Sequence, residues 1–220
     1  MVVTGKYAAM LLGVSLMVLG ACSSKPDLTS DFTSVGVRTP SGQCAIDPRS
    51  VADAKSLGSV EGQGACGIKN AWEVRSVDGV AFSTPAKLEC QMVGATNNWI
   101  GEVLQPAAQN AFGERVVKLT IAASYACRAR NNKRGGKISE HSFGNALDVS
   151  AFTLASGKVI TVEDGWKSWG SDSSFLKQVH GQACGKFSTV LGPESDSYHS
   201  NHFHFDLGKH GKSGKNNYCR

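Results

Sequence analysis

Two short windows carry most of the side chains able to do chemistry. Ser139-Glu140-His141-Ser142-Phe143-Gly144-Asn145-Ala146-Leu147-Asp148 offers an imidazole and a carboxylate, and His199-Ser200-Asn201-His202-Phe203-His204-Phe205-Asp206 offers three imidazoles and a carboxylate, so together they hold four of the six histidines. Side chains alternate faces along a strand. The second window therefore predicts His202, His204 and Asp206 on one face, with Phe203, Phe205 and Leu207 directed into a core. A single histidine is ordinarily a satisfied structural group, but two on one strand face, with His199 close by, point to a metal or to proton transfer. In the first window a turn at Gly144-Asn145 can aim His141 and Asp148 at one point. Taken singly, His141 reads as a surface residue and Asp148 as a helix cap or hairpin acid. Jointly the windows supply a His, Asp, His set with a further histidine in reach, which suits hydrolytic zinc with three protein ligands and one open position.

The surrounding pattern predicts what positions these windows. Asp78-Gly79 between two alternating runs predicts a hairpin with a type I′ turn. Apolar residues from Trp99 to Phe112 recur at helical spacing, with Gly113 as the terminating residue and Pro106 as a bend or late start. Val116 to Ala122 reads as a buried strand, Lys133 to Lys137 as a loop, and 149–154 with 159–162 as a second hairpin. Asp172 or Ser173 can cap a helix that carries Phe175, Leu176 and Val179 inward and closes near Gly185. No βαβ alternation is present, so the expectation is an α+β fold: a small antiparallel sheet carrying the site, with flanking helices.

With 220 residues, 41% of them hydrophobic, the chain suffices for one packed domain with an appendage. Its net charge of +5 is mild, and the cations are densest at Arg128–Arg134 and in the tail from Lys209. Such a balance fits an anionic polymer such as a cell wall, or an ordinary solvated surface, and excludes a nucleic-acid footprint. Residues 1–21 read as a secretory leader, with Lys6 ahead of an apolar run from Ala8. Leu19-Gly20-Ala21-Cys22 resembles a bacterial lipobox, which makes Cys22 the acylated mature N-terminus. Ser23 after it resembles Gram-negative lipoproteins addressed to the periplasmic face of the outer membrane. Residues 22–43 read as the acylated terminus and tether, and 44–220 as the folded domain. Cys44, Cys66, Cys90, Cys127, Cys184 and Cys219, none in a CxxC spacing, predict three disulfides in an oxidising compartment without specifying their pairing.

The pattern Ser139-x-His141-x-x-Gly144-x-Ala146-x-Asp148, with His202-x-His204 far downstream, resembles the zinc metallopeptidase superfamily of lysostaphin-type and D-Ala-D-Ala-type peptidases and the hedgehog signalling domain. Tyr125-x-Cys127-Arg128, the whole first window, Val190-Leu191-Gly192-Pro193 and His202-Phe203-His204-Phe205-Asp206 narrow the resemblance to the bacterial extensin-like C-terminal domain family, over roughly Cys66 to Arg220. The resemblance implies His141, Asp148 and His204 as Zn2+ ligands and His202 as general base or transition-state stabiliser. It further implies a supporting or oxyanion role for His199 and a contact from Arg128 to substrate or oxyanion. Many carboxypeptidase relatives have Glu-x-x-His where this chain has His-x-His, so a carboxylate general base is not evident. Glu140 and Asp206 are the other acids, read as loop-exposed and structural. The implied activity is a zinc peptidase acting on peptidoglycan stem peptides or cross-links, endopeptidase rather than carboxypeptidase. A wall-binding lipoprotein with structural zinc and a zinc amidase cutting the sugar-peptide bond are the alternatives.

Overall fold

The computed structural model describes Met1, Val2, Gly5, Cys44 and residues 47–220. The chain divides into two units, Met1–Thr33 and Ser34–Arg220, and the fold belongs to the second. The expected acylation site Cys22, the expected tether and all of the expected leader except Met1, Val2 and Gly5 lie outside the described residues.

Nine strands form one sheet among those residues: β1 (Ala52–Glu61), β2 (Gly67–Val77), β3 (Val80–Glu89), β4 (Val116–Ala123), β5 (Ala146–Leu154), β6 (Val159–Thr161), β7 (Thr189–Leu191), β8 (Phe203–Asp206) and β9 (Tyr218–Cys219). The order is β1-β2-β3-β4-β5-β8-β7-β9, with β6 also paired to β5. The helices are α1 (Cys90–Trp99), α2 (Gln105–Phe112), α3 (Val162–Gly165) and α4 (Ser171–Gly181). The α+β class holds. The sheet is larger than expected and not wholly antiparallel, because β3 with β4 and β7 with β9 run parallel.

Both predicted hairpins form. Asp78 and Gly79 take φ of 47° and 74°, as a type I′ turn requires, and β5 pairs antiparallel with β6. β1 has no clear sequence signature, since its residues are mostly exposed on an edge strand. β4 is only half buried: Leu119 and Ile121 enter the core while Val117 and Lys118 face solvent. The helix expected from Trp99 begins earlier, at Cys90, where the Glu89 carboxylate accepts from Gln91 N. Gly94, Thr96, Asn97 and Asn98 weaken the local helix signal there. Pro106 sits in the first turn of α2, close to the late start expected, and a π-helical stretch at Ile100–Leu104 joins α2 to α1. α4 starts at Ser171 and ends at Gly181 rather than Gly185, with no side-chain cap, and Asp172 pairs with Lys158 instead.

Helices and sheet share one aromatic core. Trp99 contacts Phe152, Phe187 and Phe205, and its Nε1 donates to the Val179 carbonyl at 3.1 Å. Phe187 and Phe205 stack with centroids 4.7 Å apart. The six cysteines all pair, as Cys44–Cys90, Cys66–Cys127 and Cys184–Cys219. Trp99→Ala removes a fully buried indole and orphans the Val179 carbonyl, so urea unfolding of the variant is expected to show a loss of about 3–5 kcal/mol.

Candidate metal centre

The pairing of β5 with β8 sets Asp148 directly opposite His204, while the flanking pairs Leu147↔Phe205 and Val149↔Phe203 are buried in the core. The alternation anticipated for 202–207 is therefore realised, with Phe203 and Phe205 beneath and His204 and Asp206 on the site face. His141 arrives from outside the sheet. It sits in a 3-10 turn at Glu140–Phe143 and is buried, which sets aside the alternative of a surface residue. Ser139 Oγ caps that turn, and Gly144 ends it at φ 63°. A Cβ on Gly144 would stand 2.6 Å from Ile68 Cδ1, so both the conformation and the space demand glycine. The turn is tied to residues 124–128 by Ala126 N to His141 O (3.2 Å), Ser139 N to Arg128 O (3.1 Å) and Arg128 N to Ser142 Oγ (3.0 Å).

Three ligand atoms converge, all within 4.8 Å of one another, on His141, Asp148 and His204. His141 Nε2 lies 3.1 Å from Asp148 Oδ2 and 3.2 Å from His204 Nδ1, and His204 Nδ1 lies 2.8 Å from Asp148 Oδ1. The far nitrogen of each imidazole already has an acceptor. His141 Nδ1 donates to the Ser124 carbonyl at 2.5 Å, and His204 Nε2 donates to Asp206 Oδ2 at 2.9 Å. Those bonds leave His141 Nε2 and His204 Nδ1 to face Asp148, the arrangement by which outer partners orient ligand imidazoles. Two nitrogens and one carboxylate, with room for a fourth group, fit zinc as a donor set. The cluster lies in a cavity of about 560 Å³ that is also lined by Arg128, His199, His202 and Asp206.

Electrostatics follow from this packing. Burial alone would raise the Asp148 carboxyl, but hydrogen bonds from His141 and His204 hold it far below the usual range. Burial opposes protonation of His204, yet its bonds to Asp148 and Asp206 bring it up to about 9. Burial pushes His202 below the ordinary imidazole range, against the opposing pull of Asp148.

The sequence-predicted residues fall into two groups. His141, Asp148 and His204 form the triad, and His202 flanks it with Nε2 3.6 Å from Asp148 Oδ2. His199 is buried, its ring 5.6 Å from that of His204, and its Nδ1 donates to Asp196 Oδ1 at 2.8 Å. Arg128 lines the cavity wall. Glu140 is not a free loop acid: Asn145 Nδ2 donates to it at 2.8 Å and Arg130 pairs with it at 3.4 Å. Three contributors escaped the sequence reading: the Ser124 carbonyl, the role of Asp206 behind His204, and Asp196 behind His199. The spacings His204-x-Asp206 and Asp196-x-x-His199 carried a signal for two of them; a backbone carbonyl carries none.

These observations define a disulfide-stapled α+β domain with a His-Asp-His cluster, able to hold a metal ion, in an open cavity. The chain belongs to the family described as extensin-like protein C-terminus, whose model matches residues 43–220. No curated protein and no solved structure gives a significant match.

A metal ion must displace the proton on His204 Nδ1, so metal affinity of the free protein is expected to rise with pH up to about 9 and level off above it. In metal-free protein the raised His204 contributes stability that is fully present below about 6.5, its ordinary value, and is lost as pH rises through about 9. Chelator competition and thermal melts across that range check the two opposite trends.

Proposed function

We propose that the chain is a zinc-dependent hydrolase of the bacterial cell envelope that cleaves peptide bonds in peptidoglycan stem peptides or cross-links. The observation that carries the reading is the convergence of His141 Nε2, the Asp148 carboxylate and His204 Nδ1 at an open cavity instead of within a closed shell. A structural site is closed by a fourth protein ligand, whereas a hydrolytic one keeps a position free. The two window motifs, resembling those of the lysostaphin-type and D-Ala-D-Ala-type peptidases, support a peptide substrate. A lipid anchor at Cys22, holding the domain at the periplasmic face of the outer membrane, would place it beside the wall. The amidase alternative differs in product rather than in ligands.

Zinc held by the triad supplies Lewis acidity toward the scissile carbonyl and acidifies a water molecule. The protein's own groups complete the chemistry. His202, kept neutral by burial, accepts the proton of the attacking water or donates a hydrogen bond to the developing oxyanion. Asp196 orients His199, which shares the cavity wall and stands beside His202 with ring centroids 5.3 Å apart. Arg128 supplies fixed positive charge where the substrate or the tetrahedral centre becomes negative.

Zinc-loaded protein incubated with isolated sacculi is expected to release muropeptides whose masses identify a cut peptide bond. Chelation abolishes the release and added zinc restores it, while His141→Ala gives none under either condition. His202→Ala is expected to bind zinc normally and to lower kcat by about 10²–10⁴-fold. Protein that takes up zinc and binds sacculi yet releases no new product would overturn the enzymatic reading.

A further inference from the structure

One cavity-lining imidazole has no part in the chemistry above. His210 lies beyond β8, and its Nε2 is 2.7 Å from Thr189 Oγ1 on β7. Thr189 stands directly opposite Asp206 in the β7–β8 ladder and both line the cavity, so its hydroxyl is placed beside the Asp206 carboxylate. A carboxylate only accepts, so a bond between the two has the Thr189 O–H donating to Asp206 and its oxygen left to accept from His210 Nε2–H. Asp206 is fully engaged: Oδ2 takes the His204 Nε2 proton at 2.9 Å, and Oδ1 takes Gly208 N–H at 2.7 Å. A Cβ on Gly208 would come within 2.9 Å of Asp206 Oδ1, so glycine is what lets that backbone donor approach.

The geometry points to a hydrogen-bonded chain, His210 to Thr189 to Asp206 to His204, in which His210 and Thr189 are positioning residues for the metal centre. Asp206 and Thr189 are both buried, where hydrogen bonds are strong and an unmade one is costly. With Thr189 and Gly208 holding its carboxylate, Asp206 has one orientation in which to receive His204 Nε2–H. That orientation aims His204 Nδ1 at His141 and Asp148.

The C-terminal segment delivers His210. β9 lies parallel to β7 with Tyr218 beside Thr189, Tyr218 N donates to Ser188 O at 2.7 Å, and Cys184–Cys219 fastens the same strand. The His210 ring rests 5.7 Å from that of Tyr218, and Asn216 N closes the intervening turn on His210 O at 3.3 Å. The tail thus acts as a clamp on the metal centre through β7.

This inference rests on the metal reading of the triad. Zinc affinity of the full chain is measured by competition with a chromophoric chelator, alongside imidazole NMR of the His204 Nε2–H proton. Thr189→Val, which keeps the shape and removes the hydroxyl, is expected to weaken zinc binding about 10–100-fold and to broaden the His204 Nε2–H signal. Thr189→Ser restores both. His210→Ala weakens binding in the same direction and decides the matter should Thr189→Val not fold. If wild type binds zinc and Thr189→Val and His210→Ala bind it as tightly, with the signal unchanged, the chain of positioning is overturned while the metal site stands. If wild type takes up no zinc, the metal reading fails and this inference with it.

Discussion

The antiparallel pairing of β5 with β8 is the constraint on which the rest of the structure depends. It joins two segments more than fifty residues apart in sequence and puts Asp148 opposite His204. The same ladder buries Leu147, Val149, Phe203 and Phe205 on its other face, beneath the Trp99 indole and the Phe187 ring. A one-residue slip would exchange the faces, sending phenylalanines into the cavity and histidines into the core. Core packing and ligand geometry are therefore one requirement, and the aromatic cluster is what makes the register unambiguous.

His141 meets this strand pair by a different route. Its turn is short and would be marginal alone, so it depends on being stitched to the 124–128 segment and seated over Ile68 and Glu89 through Gly144. Cys66–Cys127 ties that segment to the start of β2. In the chain-entropy account a disulfide closing a loop of this size contributes about 4 kcal/mol, which suits a domain whose site includes turns as well as strands.

A cluster of buried imidazoles and carboxylates is costly unless each polar atom finds a partner. Here nearly every one does: Asp148 is shared by His141 and His204, Asp206 by His204 and Gly208, and His141 Nδ1 is held by Ser124. The outer bonds are to groups that a metal would not displace. The inner ones, around Asp148, are those that binding would replace, so the surroundings hold the ligand geometry in readiness.

Local pattern was enough to reveal both hairpins, the alternation of the His202–Asp206 strand, the existence of three disulfides and a His, Asp, His set shared by the two windows. Each of these follows from turn chemistry, side-chain period or residue type, which neighbours in sequence express directly. What escaped depended on partners distant in the chain. β1 is an edge strand made mostly of exposed residues and so lacks an apolar signature. The beginning of the long helix is hidden by weak helix formers that tertiary burial overrides, and the parallel pairings and cysteine partners are matters of topology. At the site, residue type and spacing pointed to the two windows, and the family resemblance to His141, Asp148 and His204, but only folding determined which nitrogen of each imidazole faces Asp148. That choice is made by the Ser124 carbonyl and by Asp206, held in turn by Gly208. A histidine offers two nearly equivalent nitrogens, and the hydrogen bond made by one decides the task of the other.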